Sequence, residues 1–439
     1  MTRRGAEIRQ EPGRQAIAGL LPVALVVLVA LSPVRGDDFP IRIGDRIVFF
    51  GDSITQKGTY ATYVEAYLWT RFPARRIEVV NRGLSSETIS GTSETDHLPR
   101  RANASDRFDR DVDAVHPALV VSCFGMNDGN YHPFDEERFK LFRAGISKLI
   151  EKTAASQARL TILTPPPFDP YQRKATDPNA KEYGYKYPAI DYDRTLDRYA
   201  EWLRRLRGSN FSVIDLHTAL NDHLAIRRRS KVSFHLAEDA VHPNETGHAL
   251  MAIALLKSWN APAFCSELTV TPHESRSGSE SVDQAKAIGT KREMVWRTNL
   301  PAPHDPVWDR ESINLEAYDD SLNRHILKAT GFEGERIRVT ARIEGDERTF
   351  TQDFDRKRLE TGINLATIPD FPTTRRSDEF LVKLTEINEA IGVEWRWRVH
   401  QERKGPYNGK TFKELSKEKQ ALRALAEPVK IAITIEPLL

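Results

Sequence analysis

Between residues 46 and 260, short apolar runs alternate with amphipathic stretches. Segments 46–50 (RIVFF), 77–81 (IEVVN), 118–123 (ALVVSC), 159–164 (RLTILT) and 211–215 are continuously apolar or β-rich, and each predicts a buried strand. Helices are predicted between and after them, over 60–71, 135–153, 191–207, 218–229 and 243–259. In the second of these, Phe139, Phe142, Ile146, Leu149 and Ile150 form one stripe. Asp135 is placed to cap it, and Glu136 and Glu137 suit the positive end of its dipole. Pro243 is placed for the first turn of the last helix. Such alternation predicts an α/β fold, with a doubly wound parallel sheet covered on both faces. Sites in open sheets of this kind form at the carboxyl ends of the strands.

The pattern changes after about residue 265. A polar stretch at 274–280 (ESRSGSE) marks a loop near a boundary. Residues 336–341 alternate, Gly345-Asp346-Glu347 turns, and 349–354 returns, which predicts a hairpin. Helices follow over 377–391 and 413–425, and a last strand over 430–435. Trp395 and Trp397 either extend the first of these helices or lie in a strand, with a core role favoured over glycan contact. The whole reads as a mixed α+β extension.

The N-terminus has a different character. Arg3, Arg4, Arg9 and Arg14 precede an uncharged apolar run over 16–34, and Val34-Arg35-Gly36 offers small residues for cleavage. This layout predicts a secretory signal peptide, with an uncleaved membrane anchor as the alternative. The expected organisation is therefore 1–36 as signal, 37–265 as the α/β domain and 266–439 as an accessory region. The working protein is expected to be exported, periplasmic, envelope-associated or extracellular, with no membrane insertion after cleavage.

The full chain of 439 residues carries a formal net charge of +2. Residues 1–36 hold five arginines and two glutamates, so the slight basicity belongs to the signal. A near-neutral body argues against a nucleic-acid partner. With 40% hydrophobic residues the chain is not disordered, and two cysteines cannot build a disulfide scaffold. No disulfide is expected between Cys123 and Cys265.

Four segments carry candidate chemistry. Gly51-Asp52-Ser53-Ile54-Thr55 follows the first strand and exposes a serine hydroxyl, which needs a base to become a nucleophile. Asn81-Arg82-Gly83 follows the second strand, where Gly83 can offer its N–H to a substrate oxygen. Gly125-Met126-Asn127-Asp128 follows the third, where the Asn127 amide can donate to an oxyanion. Asp239-Ala240-Val241-His242-Pro243 precedes the last helix. There His242 can act as base and Asp239 can hold its ring. Each segment has a plainer reading: a turn, a loop glycine, a turn-forming Asn-Asp pair, a capping Asp beside a surface His.

In combination and in this order the four blocks resemble the SGNH/GDSL hydrolase family over about residues 45–260. The resemblance implies a flavodoxin-like core and a serine ester hydrolase. Ser53 would be the nucleophile, His242 its base and Asp239 the orienting carboxylate. The Ser53 N–H, Gly83 N–H and Asn127 side chain would form the oxyanion hole. The surrounding text is similar to a secreted bacterial subgroup, which suggests polysaccharide or envelope esters. Ser86 departs from the family, where many members carry glycine, and this bears on loop shape. No metal or organic cofactor is implied, and the expected partner is a small-molecule or glycan ester. The alternatives are a catalytically idle glycan-binding or scaffold module, and a lipase or thioesterase on the same machinery.

Asp106, Asp109, Asp113 and His116 cluster, but their spacing reads as a solvated helix face rather than a metal site. His248 reads as structural. His97 and Tyr131 either line the cleft or pack. The insert 169–188, with Tyr171, Tyr183, Tyr185 and Tyr187, is either a lid or sugar-stacking loop, or a surface insertion.

Overall fold

The computed structural model describes residues 39–95, 97–172, 182–278, 281–400 and 407–438. Residues 1–36, expected to be a signal peptide, lie outside these residues, as do 173–181 of the tyrosine-rich insert. The expected alternation is present. Strand β1 (Arg46–Gly51) leads through the short helix α1 (Ser53–Lys57) into α2 (Thr59–Arg71) and then β2 (Glu78–Gly83). A short turn of helix, α3 (Phe108–Asp111), precedes β3 (Leu119–Cys123). Next come α4 (Glu136–Ala155), β4 (Arg159–Leu163), α5 (Tyr192–Arg205), β5 (Phe211–Ile214), α6 (Leu216–Ser230) and α7 (Glu245–Ser258). The five strands form one parallel sheet in the order β2-β1-β3-β4-β5.

The central strands β1 and β3 are almost wholly buried because both sheet faces are covered. Side chains alternate across a strand. Ile47, Phe49, Val121 and Leu163 join the core on the α2 and α7 side, while Val48, Phe50, Val120, Leu160 and Ile162 join the core under α4. As expected, Asp135 caps α4, accepting from the Arg138 N–H at 2.8 Å. The last helix starts later than expected. Asn244, not Pro243, is at its N-terminus, accepting from the Gly247 N–H at 3.0 Å, while Pro243 bridges back to Ala237.

Beyond residue 260 the expectations cover only part of what forms. A mixed sheet, β13-β10-β6-β7, contains β6 (Phe264–Val270), β7 (Ser275–Ser277), β10 (Arg324–Ala329) and β13 (Ile363–Asn364). An antiparallel sheet, β12-β11-β14-β9-β8, contains β8 (Val282–Ile288), β9 (Lys291–Thr298), β11 (Arg336–Ile343), β12 (Phe350–Asp355) and β14 (Val429–Leu438). The β11–β12 hairpin and β14 lie where the alternation put them. The supposed loop at 274–280 instead holds β7, at Ser275–Ser277. Short helices α8 (Arg310–Leu315), α9 (Tyr318–Leu322) and α10 (Arg356–Thr361) connect the strands. Helix α11 (Pro372–Trp395) is longer than expected, and Trp397 continues it in a wider turn over Arg396–His400. Helix α12 is Phe412–Leu422. Trp395 is buried under the Arg82 guanidinium, 4.6 Å from its ring centre, which is the core role.

Phe380, Leu381 and Leu384 of α11 and Leu422 of α12 join the same core as α2 and α7. Phe39–Leu439 is one compact unit. Among the described residues no helix is long and apolar enough to cross a membrane.

Candidate active site

Three of the four blocks sit at the carboxyl ends of β1, β2 and β3, and the fourth loops in just before α7. Asp52 caps α1, its carboxylate accepting from the Ile54 N–H at 3.0 Å. This cap places Ser53 on the first turn, at the top of the sheet. His242 Nε2 lies 2.8 Å from Ser53 Oγ, and His242 Nδ1 lies 2.5 Å from Asp239 Oδ2. The carboxylate contact assigns the proton to Nδ1 and leaves Nε2 to accept from the serine.

Asp239 is itself held. Its Oδ1 accepts from the N–H groups of Val241 and His242, at 3.0 and 2.8 Å. The turn that allows this puts Ala240 in the left-handed region, at φ 75°. The Tyr185 hydroxyl donates to Oδ2 at 3.0 Å. Burial pushes the Asp239 carboxyl up. Hydrogen bonds from the His242 ring and from the two backbone N–H groups outweigh burial and hold it well below the usual carboxylate range.

On the other side of Ser53, Asn127 is fixed at both ends of its amide. Its Oδ1 accepts from the Tyr131 hydroxyl at 2.9 Å, and its Nδ2 donates to the Glu87 carbonyl at 3.0 Å. An amide nitrogen has two hydrogens, so one is left to donate elsewhere. Tyr131 thus holds the Asn127 side chain by a hydrogen bond as well as packing in the core. His97 Nδ1 contacts the Pro99 carbonyl at 2.7 Å.

Gly83 departs from the simplest expectation. Its N–H donates to Asn81 Oδ1 at 2.8 Å, and Asn81 Nδ2 in turn donates to the Thr55 carbonyl at 2.6 Å. The need for glycine is steric. A Cβ at Gly83 would lie 2.1 Å from the Gln56 nitrogen and 2.3 Å from the Thr55 carbonyl carbon. The end of β2 thus rests against the backbone of α1. Ser86, where glycine is common in the family, takes the left-handed conformation at φ 65°.

The Glu87 loop is anchored from below. Arg107 donates to both Glu87 oxygens, at 2.7 and 2.5 Å, and to the Arg82 carbonyl at 2.8 Å. Asp111 pairs with Arg110 at 2.8 Å and with His400 at 3.0 Å. Its neighbours Asp106, Asp109 and Asp113 had suggested a polar surface, and Asp109 does pair with Lys152 at 2.6 Å. Asp111, the buried acid among them, was not anticipated. Among the described residues no group of three or more His, Cys, Asp or Glu could hold a metal ion.

Burial pushes Asp52 up to about 7, against the Ile54 hydrogen bond. It pushes Asp128 up to about 6, against hydrogen bonds from Ser90. His248 is fully buried, stacks on Tyr60 with centroids 5.8 Å apart, and is pushed down to about 3 by burial. Cys123 and Cys265 are buried and form no disulfide.

The tyrosine-rich insert reaches the site. The Tyr185 ring lies 6.2 Å from the His242 ring and 5.7 Å from Tyr131. The insert follows β4, so its place in the chain puts it at the carboxyl ends of the strands. That place could not single out Tyr185, because the Asp239 contact depends on how the insert folds back.

Residues 49–250 match the model of the GDSL-like lipase/acylhydrolase family. That region belongs to the SGNH/GDSL hydrolases, and the protein is an ester-hydrolysing enzyme. It is similar to an acetylxylan esterase of Geobacillus stearothermophilus, 26% identical over 239 residues, which are 49% of this chain and 94% of that protein. Its fold is similar to that of BT4096, described as a gut microbial diltiazem-metabolizing enzyme. The TM-score is 0.73 at 20% identity, covering 91% of this chain and 99% of that one. The second likeness extends through the C-terminal sheets and helices.

Proposed function

We propose that the protein is an exported serine esterase that removes acyl groups, acetyl groups in particular, from a polysaccharide. The observation that carries this reading is His242 lying between Ser53 Oγ at 2.8 Å and Asp239 Oδ2 at 2.5 Å. Ser53 Oγ attacks the ester carbonyl as His242 Nε2 takes its proton. Asp239 keeps the ring in the required tautomer and stabilises the imidazolium. Negative charge on the former carbonyl oxygen is met by the Ser53 N–H, by the second Asn127 hydrogen, and by the Gly83 N–H shared with Asn81. His242 returns the proton to the departing alcohol. Water then attacks the acyl-Ser53 by the same route, releasing the carboxylic acid.

The acetylxylan esterase relative supports an acetylated glycan as substrate. The basic opening and apolar run in 1–36 support export. Hydrolysis of p-nitrophenyl acetate tests the reading. Ser53→Ala is expected to lose more than 99% of wild-type turnover. Equal turnover by the two proteins would refute the nucleophile, and glycan retention with no esterase activity in either would favour an idle binding module.

A further inference from the structure

The cleft at Ser53 does not end at the triad. A cavity of about 1400 Å³ runs from Ser53 and His242 along β2 to α11 and α12. Small-molecule sites occupy roughly 300–1,000 Å³. Strand β2 is the edge of its sheet, and its six residues span ~20 Å at ~3.3 Å each. An acetyl ester needs only the first few ångströms of that length.

The C-terminal helices hold the far wall in place. Lys419 reaches the fully buried Glu65 of α2 at 2.8 Å and the Val79 carbonyl at 3.3 Å. Arg423 donates to the Ile77 carbonyl. Asn388 of α11 donates to Glu65 Oε2 at 2.8 Å and to Thr62 Oγ1 at 3.1 Å. These contacts also blunt the open edge of β2, which otherwise invites pairing with another strand.

The wall mixes apolar and polar surface and carries a surplus of positive charge. Eight of its residues are Lys or Arg and four are Glu. Three of the four acids are already engaged: Glu65 by Lys419, Glu78 by Arg46 at 2.7 Å, and Glu245 by Lys57 at 3.0 Å. Lys413 and Lys417 are exposed, one turn apart on α12, and neither is ion-paired among the described residues. A cleft lined by one sign of charge concentrates ligands of the other.

We infer that this groove binds an extended, carboxylate-bearing oligosaccharide, a uronate chain, with its acylated sugar at Ser53 and its acidic residues toward Lys413 and Lys417. The inference rests on the esterase reading for the acyl group, while the groove's preference for anions can be measured without catalysis. The full protein is titrated calorimetrically with tetragalacturonate, neutral xylotetraose and oligoglutamate.

Tetragalacturonate is expected to bind at least tenfold more tightly than either of the others. Raising salt from 50 to 500 mM should weaken it, as screening requires. Lys413→Glu/Lys417→Glu is expected to raise its Kd at least tenfold, while Lys430→Glu, on β14, should leave it unchanged. Matching melting curves show that the variants are folded. Equal binding of tetragalacturonate and xylotetraose overturns the inference, as does an unaltered Kd in the double variant. Tighter binding of oligoglutamate replaces the glycan with an acidic peptide. A protein that cleaves p-nitrophenyl acetate but shows no anion preference refutes the groove alone. One that prefers tetragalacturonate but cleaves no ester refutes the esterase reading.

Discussion

Replacing Asn127 with alanine separates transition-state stabilisation from nucleophile activation. The substitution leaves Ser53, His242 and Asp239 in contact but removes the side-chain donor assigned to the oxyanion. One such donor contributes about 2.7–4 kcal/mol, so kcat is expected to fall about 10²–10³-fold with KM little changed. Folding stability should fall as well. The Tyr131 hydroxyl and the Glu87 carbonyl both lose a partner inside the protein, and a buried unsatisfied group costs about 1–3 kcal/mol. Tyr131→Phe provides the comparison. It keeps the donor but frees one end of the amide, so its kcat should fall about tenfold or less. Steady-state hydrolysis of p-nitrophenyl acetate, with melting curves for both variants, measures these effects. A folded Asn127→Ala protein with kcat within threefold of wild type would refute the assignment. So would a Tyr131→Phe variant as impaired as Asn127→Ala.

Two further outcomes concern the scaffold of the site. Gly83→Ala places a Cβ 2.1 Å from a backbone nitrogen of α1, so α1 must move. Activity and melting temperature should both fall sharply, and a variant matching wild type in both would disprove the close packing of β2 on α1. Asp52→Asn tests the buried carboxyl pushed up to about 7. An unfolded aspartate titrates near ~3.9, so the folded state binds the proton more tightly. Its contribution to stability is then full below pH ~4 and is lost as pH rises through about 7. Wild type should therefore lose melting temperature relative to Asp52→Asn between pH 4 and 8, and parallel curves would contradict the shift.

Much of the α/β half was legible because its signals are local. A parallel strand buried on both faces is a short apolar run, as 118–123 illustrates. An amphipathic helix such as α4 announces its stripe and its cap. The four chemical blocks could be located because open parallel sheets gather loops at one end. The C-terminal half was harder for the opposite reason. Strand β8 is almost wholly exposed, so no alternation marks it, and β6 pairs in parallel with β10 some sixty residues later.

Sequence by itself determined which segments offer candidate chemistry and the order in which the strand ends present them. Those features follow from residue type and periodicity, which short segments possess on their own. Only the tertiary structure decided that the Gly83 N–H is already engaged by Asn81, and that Tyr131 and Glu87 hold Asn127. It likewise brought Tyr185 onto Asp239, and α12 across the edge of β2 through Lys419 and Glu65, 354 residues apart in sequence. Such contacts join segments with no local signature of each other, and they exist only once the intervening chain has packed.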